Sequence, residues 1–181
     1  GEVLDFTLSG LNNSPLKLRT LQGKVVVFDF WATWCGPCRV QHPLYAKVRE
    51  RYKLRDDVVF LSVNTDEDRA VVAPFLREND WNVPVYFEDG LSRTLQISSI
   101  PTTVILDKRG KIFSRMNGFL PDRFVDMLAE RYEAADLGLA RALRQAAIVP
   151  AVAIDHRHAS RLEAAEDLSL GIGNRLHGTK K

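Results

Sequence analysis

An apolar run that leads into a Cys-x-x-Cys turn constrains the fold of this chain more than any other feature. The segment from Val25 to Phe30 is rich in β-forming residues and predicts a buried strand. Shortly after it comes Cys35-Gly36-Pro37-Cys38, and a Gly-Pro turn is typical of a strand that leads into a helix. These are the only two cysteines in the 181 residues. We therefore expect a dithiol at the corner of a strand-turn-helix unit.

The helix after this turn is predicted from about Pro37 to Tyr52. Its apolar face is predicted to comprise Val40, Leu44 and Val48. A thiol at the helix N-terminus meets unpaired backbone N–H groups and the positive end of the helix dipole, which lower its pKa. Cys35 is therefore the predicted nucleophile. Cys38, one turn further along, is predicted to be more buried and to resolve a mixed disulfide formed at Cys35.

Two other uses of a cysteine pair compete with redox chemistry. Zinc needs about four ligands and the pair supplies two, so histidines would have to complete the site. The candidates are His42, His156, His158 and His177. None of these histidines has the spacing of a zinc finger, which disfavours a metal site. A purely structural disulfide is also disfavoured, because closing so short a loop would remove little conformational entropy from the unfolded chain. We therefore predict reversible redox chemistry with no cofactor beyond the cysteine pair and no metal.

Length and charge narrow the classes of function. A chain of 181 residues, 45% of them hydrophobic, fits one well-cored domain with an appendage. The net charge of +2, without Lys and Arg clustered among aromatic residues, gives no support for binding to nucleic acid. No apolar stretch approaches the roughly 18 residues that cross a bilayer. Membrane contact is expected only through a signal or anchor removed before Gly1.

The order of predicted elements indicates an α/β fold with a mixed sheet. Strands at 24–30 and 57–64 alternate with helices at 37–52 and 68–79, which implies parallel strands. Other short segments are predicted as an N-terminal hairpin (3–8 and 16–18), a strand (83–87), a helical turn (91–96) and an antiparallel hairpin (103–106 and 111–116). A helix after Pro121 is predicted to bury Phe124, Leu128 and Tyr132.

The residues around the dithiol resemble those of a known family. Phe28 to Arg39 reads FDFWATWCGPCR, with Pro43 in the following helix and Ile100-Pro101-Thr102-Thr103 downstream, and this resembles the thioredoxin superfamily. The N-terminal hairpin, the Trp-Ala-Thr-Trp approach and the helix and strand inserted between about 66 and 95 resemble the TlpA/ResA-like thiol-disulfide oxidoreductases of bacteria. The similarity covers roughly residues 3–133. It implies a thioredoxin-like fold, with a central mixed sheet flanked by helices.

The resemblance also implies a surface that binds partner proteins. Pro101 matches the cis-proline that faces the dithiol, Ile100 the backbone clamp beside it, and Thr102 the first residue of the next strand. Gly118 matches a loop glycine that permits close approach of a partner. The predicted partner-binding residues are Trp34, Gly36, Pro37, Ile100, Pro101, Thr102 and Gly118.

Asp29 lies six residues before Cys35 and matches a buried acid that assists proton transfer at the second cysteine in thioredoxins. Burial would raise its pKa and let it act as a base near neutral pH. A partly hydrated Asp near the strand end is the competing interpretation. The lysine that partners this acid in thioredoxins is replaced by Ser62, and Gln41 stands where TlpA-like sequences often carry glutamate.

The activity implied by the resemblance is reduction of disulfides in partner proteins, supplied with electrons by an upstream thiol reductant. The setting implied is extracytoplasmic, either periplasmic or membrane-anchored and facing outward, with roles in cytochrome c maturation or general disulfide repair. The absence of further cysteines fits a cytoplasmic protein equally well. A peroxiredoxin-type thiol peroxidase is an alternative, although the proline of its Pro-x-x-x-Thr-x-x-Cys motif is missing here. A redox-switched binding module is another.

Residues 134–181 form a predicted Ala-rich helical extension beyond the domain at 1–133. Leu137, Leu139 and Leu143 continue the helical rhythm, and Pro150 breaks it. This extension is interpreted as a helical cap, as the truncated start of another module, or as a docking arm for a partner or for self-association. The sequence gives no oligomeric state.

Overall fold

The computed structural model describes residues 5–137 of the chain. Its strands are β1 (Thr7–Gly10), β2 (Pro15–Lys17), β3 (Val25–Trp31), β4 (Val58–Asn64), β5 (Val85–Phe87), β6 (Thr102–Leu106) and β7 (Ile112–Asn117). Its α-helices are α1 (Gly36–Arg51), α2 (Val72–Glu78), α3 (Leu91–Thr94) and α4 (Phe124–Asp136). Short 3-10 helices occupy Leu18–Leu21 and Arg69–Val71.

All seven strands join one mixed sheet in the order β2-β1-β5-β4-β3-β6-β7. The pairs β3–β4 and β4–β5 are parallel, whereas every other neighbouring pair is antiparallel. The N-terminal hairpin lies at one edge of the sheet, beside β5 of the inserted segment. Helices flank the sheet, so the predicted α/β thioredoxin-like fold with its N-terminal hairpin and inserted helix and strand is confirmed.

Strand β3 is the centre of the fold, and every one of its residues is buried. It lies between β4 and β6, and a strand covered on both faces requires the nearly unbroken apolar run seen in the sequence. Side chains alternate between the two faces of a strand. Val25 and Val27 pack in the core beneath α1 and α4, while Phe28 packs in the core on the opposite face. Asp29 shares the face of Val27 and therefore points toward α1.

The buried face of α1 differs from the one predicted from its apolar spacing. Its buried residues are Cys38, Gln41, His42, Tyr45 and Val48. Val40, by contrast, is exposed. The prediction counted only apolar residues, yet the polar side chains on this face find partners inside the protein. The Tyr45 hydroxyl donates to the carbonyl oxygen of Val27 at 3.1 Å, for example.

Helix α4 closes the core beside α1 and buries Phe124, Leu128 and Tyr132, as predicted. It continues to Asp136, so the predicted domain boundary at 133 falls inside a helix. Arg55 and Lys108 both contact the Asp136 carboxylate, at 2.9 and 2.6 Å. The remainder of the predicted extension, from residue 138 onward, lies outside the described residues.

Candidate active site

Cys35 and Cys38 form a disulfide at the start of α1, with Cα atoms 5.3 Å apart. Cys35 is the N-cap residue of the helix, and the backbone N–H of Cys38 donates to its Sγ at 3.2 Å. Backbone N–H groups and the positive end of the helix dipole favour a negative charge at this position. The predicted placement of Cys35 at the helix N-terminus is confirmed, and the arrangement suits a thiolate there once the disulfide is reduced.

The two cysteines are equally buried in the disulfide form, with 4% of Cys35 and 3% of Cys38 exposed. The sequence predicted an exposed Cys35 and a more buried Cys38. The difference is absent because both residues pack in one apolar cluster. Its other members include Trp31, Ala32, Val72 and Phe75. Burial therefore does not distinguish the two cysteines in the disulfide form, whereas their positions relative to the helix N-terminus do.

Thr33, in the loop that leads to the dithiol, is held by side chains from two other elements. Its N–H and hydroxyl donate to Oδ2 and Oδ1 of Asp66, each at 2.8 Å. Its carbonyl oxygen accepts from Nε and Nη2 of Arg39, at 3.2 and 2.8 Å. Asn64 donates from Nδ2 to Asp66 Oδ2 at 2.7 Å, which fixes the carboxylate. These bonds hold the loop that carries Trp34 and Cys35.

Asp66 was not among the predicted site residues, although the sequence contains a signal for it. Asn64 ends β4, and Asp66 follows two residues later. Because β3 and β4 are parallel neighbours, polar residues just after β4 meet the loop that follows β3. A polar group at that edge was therefore a candidate to anchor the loop entering the dithiol.

The loop before β6 brings Ile100 and Pro101 to the dithiol, as the resemblance implied. The Ile100–Pro101 peptide bond is cis, and Ile100 packs against the apolar cluster that contains both cysteines. Gly118 donates its N–H to the carbonyl oxygen of Pro101 at 2.8 Å. Gly118 has a φ of 74°, in the region that glycine adopts without steric cost. Ile100 and the two cysteines, more than sixty positions apart in the sequence, therefore share one apolar cluster.

The side chain of Thr102, a predicted partner-binding residue, is buried. Only 1% of the residue is exposed, and its hydroxyl donates to the carbonyl oxygen of Ser99 at 2.8 Å. Its backbone lies between Phe30 of β3 and Asn117 of β7. Both edges of Thr102 are thus occupied by the sheet, and its side chain is turned inward.

Trp34, Gly36 and Pro37 are exposed beside the disulfide, as expected of residues that contact a partner. Trp34 is 71% exposed, although its side chain is large and apolar. It forms one wall of an open groove of about 560 Å³. Residues of the inserted segment, among them Val71 and Phe75, also line this groove, together with the charged Arg39 and Glu78. The groove therefore lies between the loop that leads to the dithiol and the insert.

Asp29 is buried beneath the helix that carries the cysteines, and only 5% of it is exposed. Burial raises the pKa of Asp29 from 3.8 to about 7, and hydrogen bonds from Gln41 and Thr103 oppose this rise. Gln41 Nε2 donates to Asp29 Oδ1 at 2.6 Å. Ser62 is its partner on β4, as predicted from the strand register. The predicted burial of Asp29 is confirmed, and its pKa suits proton transfer near neutral pH.

His42 is the one predicted zinc candidate among the described residues, and its ring packs against an aromatic side chain. Its ring stacks on Trp81 with centroids 3.6 Å apart. Burial, with a further contribution from Arg49, lowers the pKa of His42 to about 4. Within residues 5–137, no three His, Cys, Asp or Glu side chains are grouped to hold a metal ion. No helix in this part of the chain combines the length and the apolarity needed to cross a bilayer.

Comparison with known proteins agrees with this geometry. A model of the Redoxin family matches residues 1–130. The thiol-disulfide oxidoreductase ResA of a Bacillus cereus strain is 29% identical over 119 residues, which are 65% of this chain and 68% of ResA. The crystal structure of a thiol:disulfide interchange protein DsbE from Chlorobium tepidum has a TM-score of 0.66 at 30% identity, covering 74% of this chain and 94% of that one.

A third relative is the exposed lipoprotein thioredoxin Etrx1 of Streptococcus pneumoniae strain TIGR4. Its structure has a TM-score of 0.60 at 29% identity, covering 70% of this chain and 99% of that one. The family match spans most of the chain and includes the strand, the dithiol turn and the cis-proline loop. The chain belongs to the Redoxin family and, within the thioredoxin superfamily, is of the TlpA/ResA type.

Proposed function

We propose that this thiol-disulfide oxidoreductase reduces disulfides in partner proteins through a mixed disulfide at Cys35 that Cys38 resolves. The observation that carries the proposal is the Cys35–Cys38 disulfide at the N-terminus of α1. Further support comes from Ile100, next to the cis bond at Pro101, which packs against the apolar cluster that contains both cysteines, and from the exposed Trp34 directly before Cys35. The relatives named above as thiol-disulfide oxidoreductases support the same chemistry.

The proposed reaction has two thiol-disulfide exchanges. The Cys35 thiolate attacks one sulfur of a partner disulfide, forming a Cys35–partner bond and releasing the other partner sulfur as a thiolate that takes up a proton. Cys38 then loses its proton and attacks Cys35 Sγ, which forms the Cys35–Cys38 disulfide and releases the second partner sulfur. The partner gains two electrons and two protons, and the enzyme dithiol becomes a disulfide. An upstream thiol reductant returns the enzyme to the dithiol.

Asp29 is the proposed base for the second exchange. A carboxylate with a pKa of about 7 can take a proton from Cys38 and return it near neutral pH. Gln41, on the same face of α1 as Cys38 and one turn away, connects the acid to the helix that carries the thiol. We therefore assign the resolving step to Asp29 and Cys38 together.

Partner binding is assigned to the exposed surface around Cys35. The backbone beside Pro101 would pair with an extended segment of the partner, and Ile100 supplies the adjacent clamp. Trp34, Gly36, Pro37 and Gly118 would contact the residues next to the reacting cysteine. Pro101 and Thr102 are themselves buried, so neither side chain is assigned a contact with the partner.

The test uses two single variants with a disulfide-containing protein such as insulin. The reduced Cys38→Ser variant should accumulate a mixed disulfide through Cys35, whereas the Cys35→Ser variant should accumulate none. Non-reducing electrophoresis and mass spectrometry would identify the adduct, and the double variant is the matched control. Equal trapping by both single variants would contradict the assigned roles. Peroxide turnover that is independent of any protein disulfide would favour the peroxidase alternative instead.

The proposed setting is extracytoplasmic. The support comes from Etrx1, a relative of similar sequence that is described as an exposed lipoprotein. Fractionation of the native host should place the protein outside the cytoplasmic compartment. Recovery with cytoplasmic markers alone would refute this part of the proposal.

A further inference from the structure

The hydrogen bond between Gln41 and Asp29 joins two of the most buried polar side chains in the described part of the chain. Gln41 is 1% exposed, and its Nε2 lies 2.6 Å from Asp29 Oδ1. Its Oε1 is also buried and has no hydrogen-bond partner among residues 5–137. A buried hydrogen-bond acceptor without a partner destabilises the folded state, so the position of Gln41 Oε1 needs a physical explanation.

Three other side chains neighbour Asp29. Thr103 is paired with it across β3–β6, and its hydroxyl opposes the rise in the pKa of the carboxyl. Tyr45, the titratable neighbour on α1, directs its hydroxyl to the carbonyl oxygens of Val27 and Leu61. On β4 the neighbour is Ser62, so no cationic side chain comes from that strand position.

A side-chain amide has a donor and an acceptor at opposite sides of one rotatable group. When Asp29 is ionised, Nε2 donates to the carboxylate, and Oε1 is the group left without a partner. When Asp29 is protonated, its O–H becomes a donor that needs an acceptor. A half-turn of the Gln41 amide brings Oε1 to that proton. The unpartnered oxygen can therefore accept from the protonated acid when the proton is on Oδ1, the oxygen that faces Gln41.

We propose that Gln41 is a positioning residue that holds the buried acid in both protonation states, through a reversal of its side-chain amide that accompanies proton transfer. The amide donates to the Asp29 carboxylate before the proton arrives from Cys38 and accepts from the Asp29 carboxylic acid afterwards. One proton moves from sulfur to carboxylate, and no other atom is exchanged. In its catalytic consequence this inference rests on the proposed function, whereas the Asp29–Gln41 coupling does not.

The coupling can be measured in the full-length disulfide form, where no thiol titrates. The Asp29 carboxyl carbon and the Gln41 side-chain amide should titrate with one common midpoint, followed by NMR against pH. In Asp29→Asn the Gln41 amide should no longer titrate. A Gln41 amide that keeps one environment across the Asp29 titration would overturn the proposal.

Gln41→Met tests the energetic contribution, because methionine has similar length but makes only weak hydrogen bonds. Charge-assisted hydrogen bonds are stronger than neutral ones, so the ionised form of Asp29 loses more than the protonated form. We expect the proton affinity of Asp29 to rise about tenfold, which is about one pKa unit. The exposed Gln22→Leu variant is the control and should leave it unchanged. An unchanged Asp29 titration in Gln41→Met would contradict the proposal.

The kinetic test uses the reduced protein and a chromogenic aromatic disulfide, from which Cys35 and then Cys38 release one thiol each. At about pH 7, the ionised fraction of Asp29 should fall from about a half to about a tenth in Gln41→Met, so the second release should slow about fivefold. The first release should not change. In an Asp29→Asn background the Gln41 substitution should have no further effect. Equal slowing of both releases would indicate a merely structural role and refute the proposal.

These outcomes separate this inference from the proposed function. If the second release does not depend on Cys38, the proposed function fails, while the titration of the disulfide form still decides the amide reversal. If Gln41→Met does not fold, the NMR comparison of wild type with Asp29→Asn decides the proposal, because it leaves Gln41 intact.

Discussion

Replacing Asp29 by Asn in the disulfide form should stabilise the protein above neutral pH and have little effect near pH 4. Burial raises the pKa of Asp29 from 3.8, its value in an unfolded chain, to about 7 in the folded protein. The folded protein therefore keeps a proton that the unfolded chain releases between those two values. Because the unfolded state binds fewer protons in this window, the free energy of unfolding falls as the pH rises through it.

The size of this effect follows from the two pKa values. Their difference, at about 1.4 kcal/mol per unit, corresponds to about 4 kcal/mol of lost stability once the pH is above 7. Asparagine has a similar shape, carries no charge and can still accept from Gln41 Nε2. We therefore expect Asp29→Asn to gain up to about 4 kcal/mol at about pH 8 and close to zero at about pH 4.

Urea unfolding of the oxidised protein at these two pH values would measure the gain. Asp56→Asn is the matched control, because Asp56 is exposed, and its effect should be small at both pH values. A gain for Asp29→Asn that is equal at the two pH values would show that it does not come from ionisation. No gain at the higher pH would show that the folded protein accommodates the Asp29 charge without cost, and the reasoning from burial would be refuted.

Two further substitutions test other parts of the structure. Asp66→Ala removes the carboxylate that accepts two hydrogen bonds from Thr33, and should lower the free energy of unfolding by about 2 kcal/mol in urea titrations. A smaller loss of stability in Asp66→Asn would show that the hydrogen bonds, rather than the negative charge alone, account for part of the effect. Tyr132→Phe removes a buried hydroxyl that has no hydrogen-bond partner within residues 5–137, and should raise the melting temperature. A decrease of more than about 1 kcal/mol in the free energy of unfolding would instead show that the hydroxyl has a hydrogen-bond partner.

The parts of the fold that sequence predicted best are those in which one physical requirement dominates. β3 had to be apolar on both faces, so its run from Val25 could be read directly. Asp107 to Gly110 separates β6 from β7, and turn residues between two apolar segments predict an antiparallel hairpin. Cys35 at the helix N-terminus followed from the same local rules.

The parts that sequence did not predict depend on contacts between distant residues. Val40 has the right spacing for the core, yet Gln41 takes the buried position because Asp29 lies opposite it on β3. Thr102 belongs to a recognisable motif, but its place between two strands buries it. Asp66 accepts hydrogen bonds from Thr33 at the sheet edge, and this contact could be expected only once β3 and β4 were known to be parallel neighbours. Such pairings are set by strand order and register rather than by local pattern.

The bonds around Thr33 have a consequence for how the enzyme parts from its partners. None of the four hydrogen bonds between Thr33 and the side chains of Asp66 and Arg39 involves a sulfur atom. We therefore expect these bonds to persist when the disulfide opens, so that the reduced and oxidised proteins present a similar loop to a bound chain. We expect non-covalent affinity for a partner to differ little between the two redox states. Release of a partner would then depend on the mixed disulfide, which holds the partner until Cys38 attacks Cys35 and breaks that bond.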